Sequence, residues 1–400
     1  MRRIVVVGAS LAGLRAAEEL RGRGFDGALV VVGDEPHLPY DRPPLSKQVL
    51  AGDWESDRLP LTVAHDGGLA GLDVEWQLGS RAASLDLDTR TVTLADDTAL
   101  SFDGLVVATG ASPRWLRGCP TDLGAVHTLR TLDDSLAIRK VLDATPQRVV
   151  VVGGGFIGAE VAATCRGRGL DVTLVEMLPV PMGVAIGDEV GGLMADIHRD
   201  HGVDVRLGVG VEQVAGTDRV ERVRLTDGTN LDADLVVVGV GVVPNTAWLD
   251  GSGLTVDNGV VCDATGEAAP GVVAAGDVAR WPSDRFERLL RVEHWDNAIA
   301  MGEHAARRLL GDTDPYDPVP WFWSDQYDRK LQLAGIAAGA DEMQVVDGSL
   351  DERRFVALYR QGDRLAAVLA MNRPRPVVTY RRLIEANASW QEAMGIAGSS

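Results

Sequence analysis

Glycines at fixed spacing between a strand and a helix are the first residues of this sequence whose pattern indicates chemistry. The apolar run 149–152 leads into Gly153-Gly154-Gly155-Phe156-Ile157-Gly158, and the next apolar run ends on Glu176. In such a motif the first glycine makes a tight turn, the second leaves room for a pyrophosphate at the helix N-terminus, and the third lets helix and strand pack closely. The pattern predicts a complete dinucleotide site.

A similar motif near the start of the chain is less complete. Residues 4–7 lead into Gly8-Ala9-Ser10-Leu11-Ala12-Gly13, so a serine stands at the position of the second glycine. Glu35 lies 22 residues beyond Gly13, at the end of the next apolar strand, where a carboxylate would bind two ribose hydroxyls. Two dinucleotide sites in one chain imply two dinucleotides, which suits an enzyme whose nicotinamide and flavin meet.

The elements that must position both motifs read as strand, glycine turn, helix and strand, the first half of a Rossmann unit. Each half closes with a further buried strand that runs into a turn of small residues, over 105–110 and 235–241. A third segment, 271–277, places Asp277 after a short apolar strand, where its carboxylate would accept a hydrogen bond from a hydroxyl of a sugar chain. The sequence therefore predicts an α/β protein with two Rossmann-like domains.

Length and charge bound the function classes. With 400 residues the chain exceeds the size of one hydrophobic core, so two or three domains are expected. A formal net charge of −19 disfavours nucleic acid and anionic membranes as partners. The apolar runs are far shorter than the roughly 20 residues of a membrane span, and the N-terminus shows no signal-peptide pattern. We expect a soluble, cytoplasmic protein.

Thiol and metal chemistry are not indicated. The three cysteines, Cys119, Cys165 and Cys262, form no close pair, which argues against a disulfide framework, an intrinsic iron–sulfur cluster and a redox-active dithiol. We interpret each as a small buried hydrophobic residue. The seven histidines lack the spacing of metal ligands, so no metal site is assigned.

Taken together, the motifs resemble those of the FAD-dependent pyridine-nucleotide oxidoreductases, and more narrowly those of the ferredoxin reductases that serve bacterial oxygenases. Beyond the glycine motifs, the similarity includes residues 39–47, 276–277, 292–298 and 321–327 and extends over nearly the whole chain. These segments are highly specific in combination. The disulfide reductases of the same superfamily carry a cysteine pair in the first domain, and its absence here removes that branch.

The resemblance implies a glutathione-reductase-like fold of three domains. An FAD-binding domain, 1–112 and 246–318, would be interrupted by an NAD-binding domain, 113–245, and a smaller C-terminal α/β domain, 319–400, would cover the flavin edge. The residues at FAD positions are Gly8, Ser10, Gly13, Glu35, Arg42, Lys47, Asp277 and Trp295. The residues at NAD positions are Gly153, Gly155, Gly158 and Glu176.

The resemblance also implies the reaction. FAD would take a hydride from NADH and pass single electrons to a [2Fe-2S] ferredoxin that feeds an oxygenase. Lys47 and Glu160 are expected near the flavin N5 as an ion pair that moves aside or reorganises when the nicotinamide docks. Trp295 and Trp323 are expected beside the isoalloxazine, whereas Trp321 is interpreted as a core residue.

A helix is predicted over residues 297–310 from the spacing of Ala298, Met301, Ala305 and Leu309. If it points at the flavin, as the resemblance implies, its positive N-terminus would stabilise the reduced, anionic ring. A plain surface helix is the alternative interpretation.

Glu176 predicts NADH rather than NADPH as the electron donor. Its carboxylate suits a free 2′-hydroxyl but would repel a 2′-phosphate, and no Arg or Lys occurs from Met177 to Ile197 to offset that repulsion.

The distribution of charge predicts where the ferredoxin docks. Residues 353–382 carry eight arginines against one acid, Asp363, which gives +8 − 1 = +7 in a protein of −19. Ferredoxins of this class are acidic, so this basic face would steer one towards the flavin edge, although some arginines could pair with acids elsewhere. The arginines are Arg353, Arg354, Arg360, Arg364, Arg373, Arg375, Arg381 and Arg382.

Two other functions remain open at this point. The chain could reduce a small acceptor such as a quinone or the monodehydroascorbate radical, because flavins reduce many acceptors. It could also be a non-catalytic NADH sensor like the apoptosis-inducing factors. A sensor is less favoured because the sequence contains no targeting or basic DNA-binding segment.

Overall fold

In the computed structural model, which describes residues 1–397, the chain passes back and forth between two units. The first unit comprises residues 1–41, 59–112 and 243–320. The second comprises 42–58, 113–242 and the chain from 321 onward. The division into three domains stays a prediction. Segment 42–58, which carries Lys47, groups with the second unit, and so does the C-terminal part of the chain.

A six-stranded sheet forms the centre of the first unit. Its strands lie in the order Glu267–Ala269, Val272–Ala274, Gly104–Val107, Arg3–Val7, Ala28–Val32 and Glu75–Gln77. All neighbours are parallel except the first pair. The central strands are apolar runs because both of their faces are buried, and Ile4, Val5 and Val6 have no exposed surface.

Two helices, Leu11–Gly22 and Trp295–Leu309, pack closely against each other in this unit. Gly302 makes the close approach possible, because a Cβ there would overlap the carbonyl oxygen of Ala12. The helix predicted over 297–310 is confirmed and begins two residues earlier than expected, with Met301, Ala305 and Leu309 buried.

The first unit also contains smaller elements. They are the antiparallel sheet Ala82–Asp86, Thr91–Leu94 and Ala99–Ser101, the sheet of Val260–Val261, Ala279–Ser283 and Arg288–Leu290, the short helix Gly68–Gly71, and the 3₁₀ turns Ala247–Leu249 and Gly276–Val278.

A five-stranded parallel sheet forms the centre of the second unit. Its order is Asp204–Leu207, Asp171–Glu176, Arg148–Val152, Leu235–Val238 and Val126–Thr128. The helices Leu132–Asp143, Phe156–Gly167 and Asp188–Asp200 accompany it. Thr131 and Asp134 form a capping box that begins the first of these helices. This is the same strand–turn–helix arrangement as in the first unit.

The C-terminal part of the second unit is an antiparallel sheet. Its order is Trp321–Gln326, Arg329–Gly335, Arg364–Met371, Arg354–Gln361 and Glu342–Ser349, followed by the helices Pro374–Glu385 and Trp390–Ala397. Met194 and Ile197 of helix Asp188–Asp200 share one buried cluster with Phe355 and Leu369 of this sheet. The C-terminal sheet therefore packs on the nucleotide-type fold through an apolar core.

The remaining elements are short. The second unit contains the turns Pro43–Ser46 and Ser56–Arg58, the helices Gln48–Ala51 and Gly183–Ile186, and the strands Val211–Gly216, Val220–Leu225 and Asn230–Asp232. The strands Ala111–Pro113 and Val242–Pro244 coincide with two places where the chain leaves one unit for the other. No helix within residues 1–397 is long and apolar enough to cross a membrane.

Candidate functional site

The first glycine motif has the backbone geometry that a dinucleotide requires. Gly8 has φ +128°, and a Cβ at this position would overlap the carbonyl oxygen of Ala108. A Cβ on Gly13 would overlap the carbonyl oxygen of Gly8, so helix and strand meet where only glycine fits. Ser10 caps the helix Leu11–Gly22 in extended conformation. The helix N-terminus is thus arranged as in sites that bind pyrophosphate.

Two partly exposed carboxylates follow strands of the same unit. Glu35 lies three residues after the strand Ala28–Val32, and its Oε2 accepts a hydrogen bond from the Tyr40 hydroxyl at 2.5 Å. Asp277 lies in the turn after strand Val272–Ala274. Carboxylates in these places suit hydroxyls of a nucleotide and its sugar chain, so the first unit fits FAD.

The second glycine motif meets the same requirements. Gly153 has φ +102°, and a Cβ there would overlap the carbonyl oxygen of Gly239, while a Cβ on Gly158 would overlap that of Gly153. Gly155 caps the helix Phe156–Gly167 and has no atom within 4 Å of its Cβ position. That open space at a helix N-terminus suits a pyrophosphate.

The Glu176 carboxylate is fixed beside this turn by backbone amides. Its Oε2 accepts a hydrogen bond from the amide of Gly154 at 2.6 Å, and its Oε1 accepts one from the amide of Leu178 at 2.8 Å. An oriented carboxylate at the end of the second strand suits the ribose of NAD, so the second unit fits a pyridine nucleotide.

Lys47 and Glu160 are brought together in the second unit. Lys47 Nζ lies 2.6 Å from Glu160 Oε2, and the side chains are 15 % and 3 % exposed. The same Oε2 accepts a hydrogen bond from the Ser46 hydroxyl at 2.6 Å, and Oε1 accepts one from the Ser324 hydroxyl at 2.7 Å. The buried carboxylate is therefore compensated by one charge and two neutral donors.

Hydrogen bonds to its backbone carbonyls hold the segment that carries Lys47 against the rest of the second unit. The carbonyl of Leu45 accepts a hydrogen bond from Ser135, and the carbonyl of Ser46 accepts one from Thr164, both at 2.8 Å. Leu50 has no exposed surface and belongs to the core around the parallel sheet. These contacts fix the Cα of Lys47 relative to the helix that carries Glu160.

Arg42 begins the same segment. Its guanidinium donates a hydrogen bond to the carbonyl of Arg130 at 2.7 Å. Its assignment as an FAD-binding residue stays a prediction.

Trp295 is oriented by a carboxylate of the first unit. Its Nε1 donates a hydrogen bond to Asp41 Oδ1 at 2.7 Å, and Asp41 lies in the segment 39–47 that carries the family resemblance. Burial lowers the pKa of the neighbouring His294 to about 4, against the opposing effect of the Asp277 charge. His294 is therefore neutral at neutral pH, at the N-terminus of helix Trp295–Leu309.

Trp321 and Trp323 lie on the same face of strand Trp321–Gln326. Their rings stack with centroids 5.3 Å apart, and both are partly exposed. The interpretation of Trp321 as a core residue was wrong, because its side chain is partly exposed. Side chains two positions apart on a strand share a face, so Trp321 lies beside Trp323. Phe322 points to the opposite face and contacts Phe156 with ring centroids 4.6 Å apart.

The three cysteines are buried and none forms a disulfide. Burial raises the pKa of Cys165 and Cys262 to about 12, and it also raises the pKa of Cys119. The interpretation of all three as small buried residues is confirmed, and burial disfavours the thiolate form of each.

Several residues at the Lys47–Glu160 pair were missed from the sequence. Ser46 and Ser324 both lie in segments that were recognised, but nothing local indicated that they contact Glu160. His198 and Gln326 continue the hydrogen bonds beyond Ser324. A helical pattern of buried positions, Val190 and Met194, would have placed His198 on the inner face of its helix.

Comparison with known proteins agrees with this geometry. Residues 2–302 match the family described as pyridine nucleotide-disulphide oxidoreductase, and residues 321–396 match the family described as reductase C-terminal. These matches confirm the predicted family and fold class.

Individual relatives cover almost the whole chain. Rhodocoxin reductase of Rhodococcus erythropolis is 40% identical over 383 residues, 95% of this chain and 89% of that protein. The ferredoxin--NAD(+) reductase component of the anthranilate 1,2-dioxygenase system of Burkholderia cepacia is 38% identical over 392 residues, 96% of this chain and 94% of that protein. The crystal structure of the covalent putidaredoxin reductase–putidaredoxin complex matches with a TM-score of 0.92 and 36% identity, covering 96% of this chain and 93% of that chain.

Fold, glycine motifs and relatives agree on the cofactors as well. The protein is an oxidoreductase that uses FAD and a pyridine nucleotide, as predicted. The chain belongs to the pyridine nucleotide-disulphide oxidoreductase family and carries the reductase C-terminal domain.

Proposed function

We propose that this protein is an NADH-dependent reductase of a [2Fe-2S] ferredoxin that supplies electrons to an oxygenase. The observation that carries the proposal is the presence of two dinucleotide-type glycine turns in one chain whose three cysteines are buried and separate. Without a dithiol, electrons would leave for an external acceptor directly. Relatives named for ferredoxin and putidaredoxin support that kind of acceptor.

In this proposal the first unit holds FAD through the turn Gly8–Gly13 and through Glu35 and Asp277. The second unit holds NADH through the turn that begins at Gly153 and through Glu176. Bound FAD would supply the ability to accept a hydride and to release electrons singly.

Lys47 and Glu160 would act as a movable ion pair. Lys47 has four rotatable side-chain bonds and some solvent exposure, whereas the serines that contact Glu160 are buried. When the nicotinamide binds, Lys47 would turn away from Glu160, whose carboxylate keeps the hydroxyl donors of Ser46 and Ser324. Trp295, oriented by Asp41, and Trp323 would exclude water beside the reacting ring.

The ferredoxin would dock on a smaller basic face than the sequence suggested. Several of the eight arginines form ion pairs, among them Arg353 with Asp200, Arg360 with Glu342, Arg373 with Asp347 and Arg381 with Glu385. These acids offset much of the local charge of +7.

Two other arginines are exposed on one face of helix Pro374–Glu385. Arg375 and Arg382 are seven positions apart, two turns of the helix, and Val378 between them is 57 % exposed. An apolar residue flanked by cations suits an acidic partner, because charge steers the encounter and apolar contact slows dissociation. Arg375, Val378 and Arg382 are called the arginine face below.

The function is tested with the FAD-loaded protein and a bacterial [2Fe-2S] ferredoxin. NADH should bleach the flavin under anaerobic conditions, and reduction of cytochrome c should depend on added ferredoxin. A higher kcat/KM with a quinone or the monodehydroascorbate radical than with ferredoxin would favour the small-acceptor alternative. An absence of flavin bleaching by NADH would overturn both.

A further inference from the structure

A row of hydrogen-bonded side chains leads from Glu160 into the second unit. Ser324 donates to Glu160 Oε1 at 2.7 Å, and Gln326 Nε2 donates to Ser324 Oγ at 3.2 Å. Gln326 Oε1 lies 3.0 Å from His198 Nε2, and His198 Nδ1 lies 3.0 Å from the Tyr327 hydroxyl. We call these five residues the Glu160 chain.

The middle of the Glu160 chain has almost no access to solvent. Ser324 and His198 have no exposed surface, Gln326 is 1 % exposed, and Glu160 is 3 % exposed. Buried polar groups of this kind depend on one another for their hydrogen bonds, because no water replaces a missing partner. Three elements supply them: the helix Phe156–Gly167, the strand Trp321–Gln326 and the helix Asp188–Asp200.

The carboxylate sets the direction of every hydrogen bond in the chain. An ionised Glu160 only accepts, so Ser324 must donate to it and accept from the amide nitrogen of Gln326. The amide oxygen of Gln326 then faces His198 and accepts a hydrogen bond from Nε2–H. A neutral His198 with its proton on Nε2 accepts at Nδ1 from the Tyr327 hydroxyl, and all donors point towards Glu160.

His198 fits this assignment. Burial lowers its pKa to about 4, with the nearby His201 acting in the same direction and the hydrogen bond to Gln326 opposing it. The ring is therefore neutral at neutral pH, as the Nε2–H form requires. His201 also stacks on Tyr327 with ring centroids 3.7 Å apart, which fixes the end of the chain.

We propose that Ser324, Gln326 and His198 are positioning residues for reduction of the flavin by NADH, which hold the Glu160 carboxylate in place through a row of aligned donors. The inference rests on the proposed function, in which Lys47 leaves Glu160 when the nicotinamide binds. A carboxylate held from Oε1 by an ordered row of buried groups keeps its orientation after Lys47 has turned away. Aligned hydrogen bonds also polarise one another, so the far residue His198 strengthens the bond from Ser324.

The first experiment tests whether the hydrogen bonds of the Glu160 chain are coupled from one end to the other. Its readout is the tautomer of His198 and not the enzyme activity. The full-length protein is labelled with ¹⁵N-histidine, and the His198 signal is assigned with His198→Gln. In the unsubstituted protein His198 should be the neutral Nε2–H tautomer at pH 7. Glu160→Gln places an amide beside Ser324, and its nitrogen can donate a hydrogen bond where the carboxylate only accepted. Ser324 can then donate to Gln326, whose side-chain amide can rotate so that its nitrogen faces His198. His198 Nε2 would accept from that nitrogen, and the tautomer should shift towards Nδ1–H. An unchanged His198 tautomer in Glu160→Gln would overturn the proposal.

The second experiment measures the flavin half-reaction. Gln326→Leu and His198→Leu should lower the limiting rate of anaerobic flavin reduction by NADH on the order of tenfold, as expected for small misplacement of a reacting group. The dissociation constant for NADH should change less than twofold. His198→Gln keeps a donor towards Gln326 and should recover much of the rate.

Tyr359→Phe is the matched control. It removes another buried hydrogen bond of the C-terminal sheet, from the Tyr359 hydroxyl to the carbonyl of Ile186 at 2.6 Å. Tyr359 does not belong to the Glu160 chain. This variant should leave both the rate and the His198 tautomer unchanged. An equal loss of rate in Tyr359→Phe, or additive losses in the double variant Ser324→Ala with His198→Leu, would show that only general packing is involved. Failure of the unsubstituted protein to be reduced by NADH would instead count against the proposed function.

Discussion

Lys47 Nζ and Glu160 Oε2 lie 2.6 Å apart although 113 positions separate the two residues in the sequence. Both side chains are largely buried, and Glu160 has lost nearly all of its water. In such a pair the attraction offsets a large desolvation cost, so the net stabilisation is small but the loss of one partner is costly. The free energy of unfolding should therefore fall more when one partner is replaced than when both partners are replaced together.

Lys47→Met should lower the free energy of unfolding by up to about 3 kcal/mol, because it leaves the Glu160 charge buried with only hydroxyl donors. The double variant Lys47→Met with Glu160→Gln should recover most of this loss. Urea unfolding of the apoprotein, followed by circular dichroism, measures both. Lys330→Met is the control, since Lys330 lies 3.7 Å from Asp325 in an exposed pair whose loss should cost less than about 1 kcal/mol. Equal effects of Lys47→Met and Lys330→Met would contradict the argument.

Asp277→Ala should weaken FAD binding while the fold persists. Its carboxylate follows strand Val272–Ala274, where we propose that it binds FAD, and a hydrogen bond to a charged group contributes roughly 1.5–3 kcal/mol, which is about 10- to 100-fold in the dissociation constant. Titration of the apoprotein with FAD, followed by flavin fluorescence, measures the change. Asp284→Ala, an exposed acid of the same unit, should have no effect. Full FAD occupancy in Asp277→Ala would exclude the assigned role.

The sequence predicted the parts of the site that depend on local pattern. Gly8 and Gly153 could be placed because a strand, a turn and a helix follow one another within a few residues, and the positive φ of both glycines agrees with that prediction. The partners of Glu160 could not be placed, because Ser46 and Ser324 lie 114 and 164 positions away in the chain. Such contacts depend on how the segment 42–58 and the C-terminal sheet pack on the helix Phe156–Gly167.

Glu176→Ala should reduce the preference for NADH over NADPH. The carboxylate is held in place by the amides of Gly154 and Leu178, so it would meet a 2′-phosphate as a fixed like charge. At about 4 Å and an effective dielectric near 20, two unit charges repel by roughly 4 kcal/mol, so a preference of tens- to hundreds-fold remains after screening. The ratio of the kcat/KM value for NADH to that for NADPH measures this preference in the unsubstituted protein and in Glu176→Ala.

Glu176→Arg should reduce this ratio further than Glu176→Ala, because it adds an attractive charge. Glu212→Ala removes an acid that pairs with Arg224 in the small sheet of the same unit and should leave the ratio unchanged. Equal kcat/KM values with both nucleotides in the unsubstituted protein would overturn the role of Glu176.

The buried His198 should make the protein less stable in mild acid. Its folded-state pKa is about 4, below the ordinary value of about 6.5, so the unfolded chain takes up a proton between these values that the folded chain does not. The contribution to stability is complete above pH 6.5 and falls as the pH is lowered towards 4, by about 2 kcal/mol at pH 5.

His198→Gln should therefore reduce the dependence of unfolding free energy on pH between 7 and 5. It should not abolish it, because burial lowers the pKa of His294 to about 4 as well. Urea unfolding at pH 7 and pH 5 gives the difference for each variant. Tyr359→Phe should lower stability equally at both pH values. A pH difference in His198→Gln as large as in the unsubstituted protein would contradict the prediction.

Reversing charge on the arginine face should slow electron transfer to ferredoxin without slowing reduction of the flavin by NADH. Arg375 and Arg382 are exposed on one side of helix Pro374–Glu385, whereas Arg373 is already paired with Asp347 at 3.0 Å. Arg375→Glu with Arg382→Glu should therefore act more strongly than substitution of Arg373. The control Arg222→Glu with Arg224→Glu makes the same change of net charge on the small sheet Val211–Asp232.

Ionic strength separates steering by this face from any other effect of the substitutions. Exposed charges act mainly on the association rate, and the Debye length shortens from about 30 Å at 0.01 M to about 8 Å at 0.15 M. The rate of ferredoxin reduction should therefore fall about tenfold in the arginine-face variant at low salt and much less at 0.15 M salt. Stopped-flow measurement of both half-reactions at the two salt concentrations tests this. If the control variant slows the reaction equally, net charge alone is responsible, and if neither variant slows it, the ferredoxin docks elsewhere.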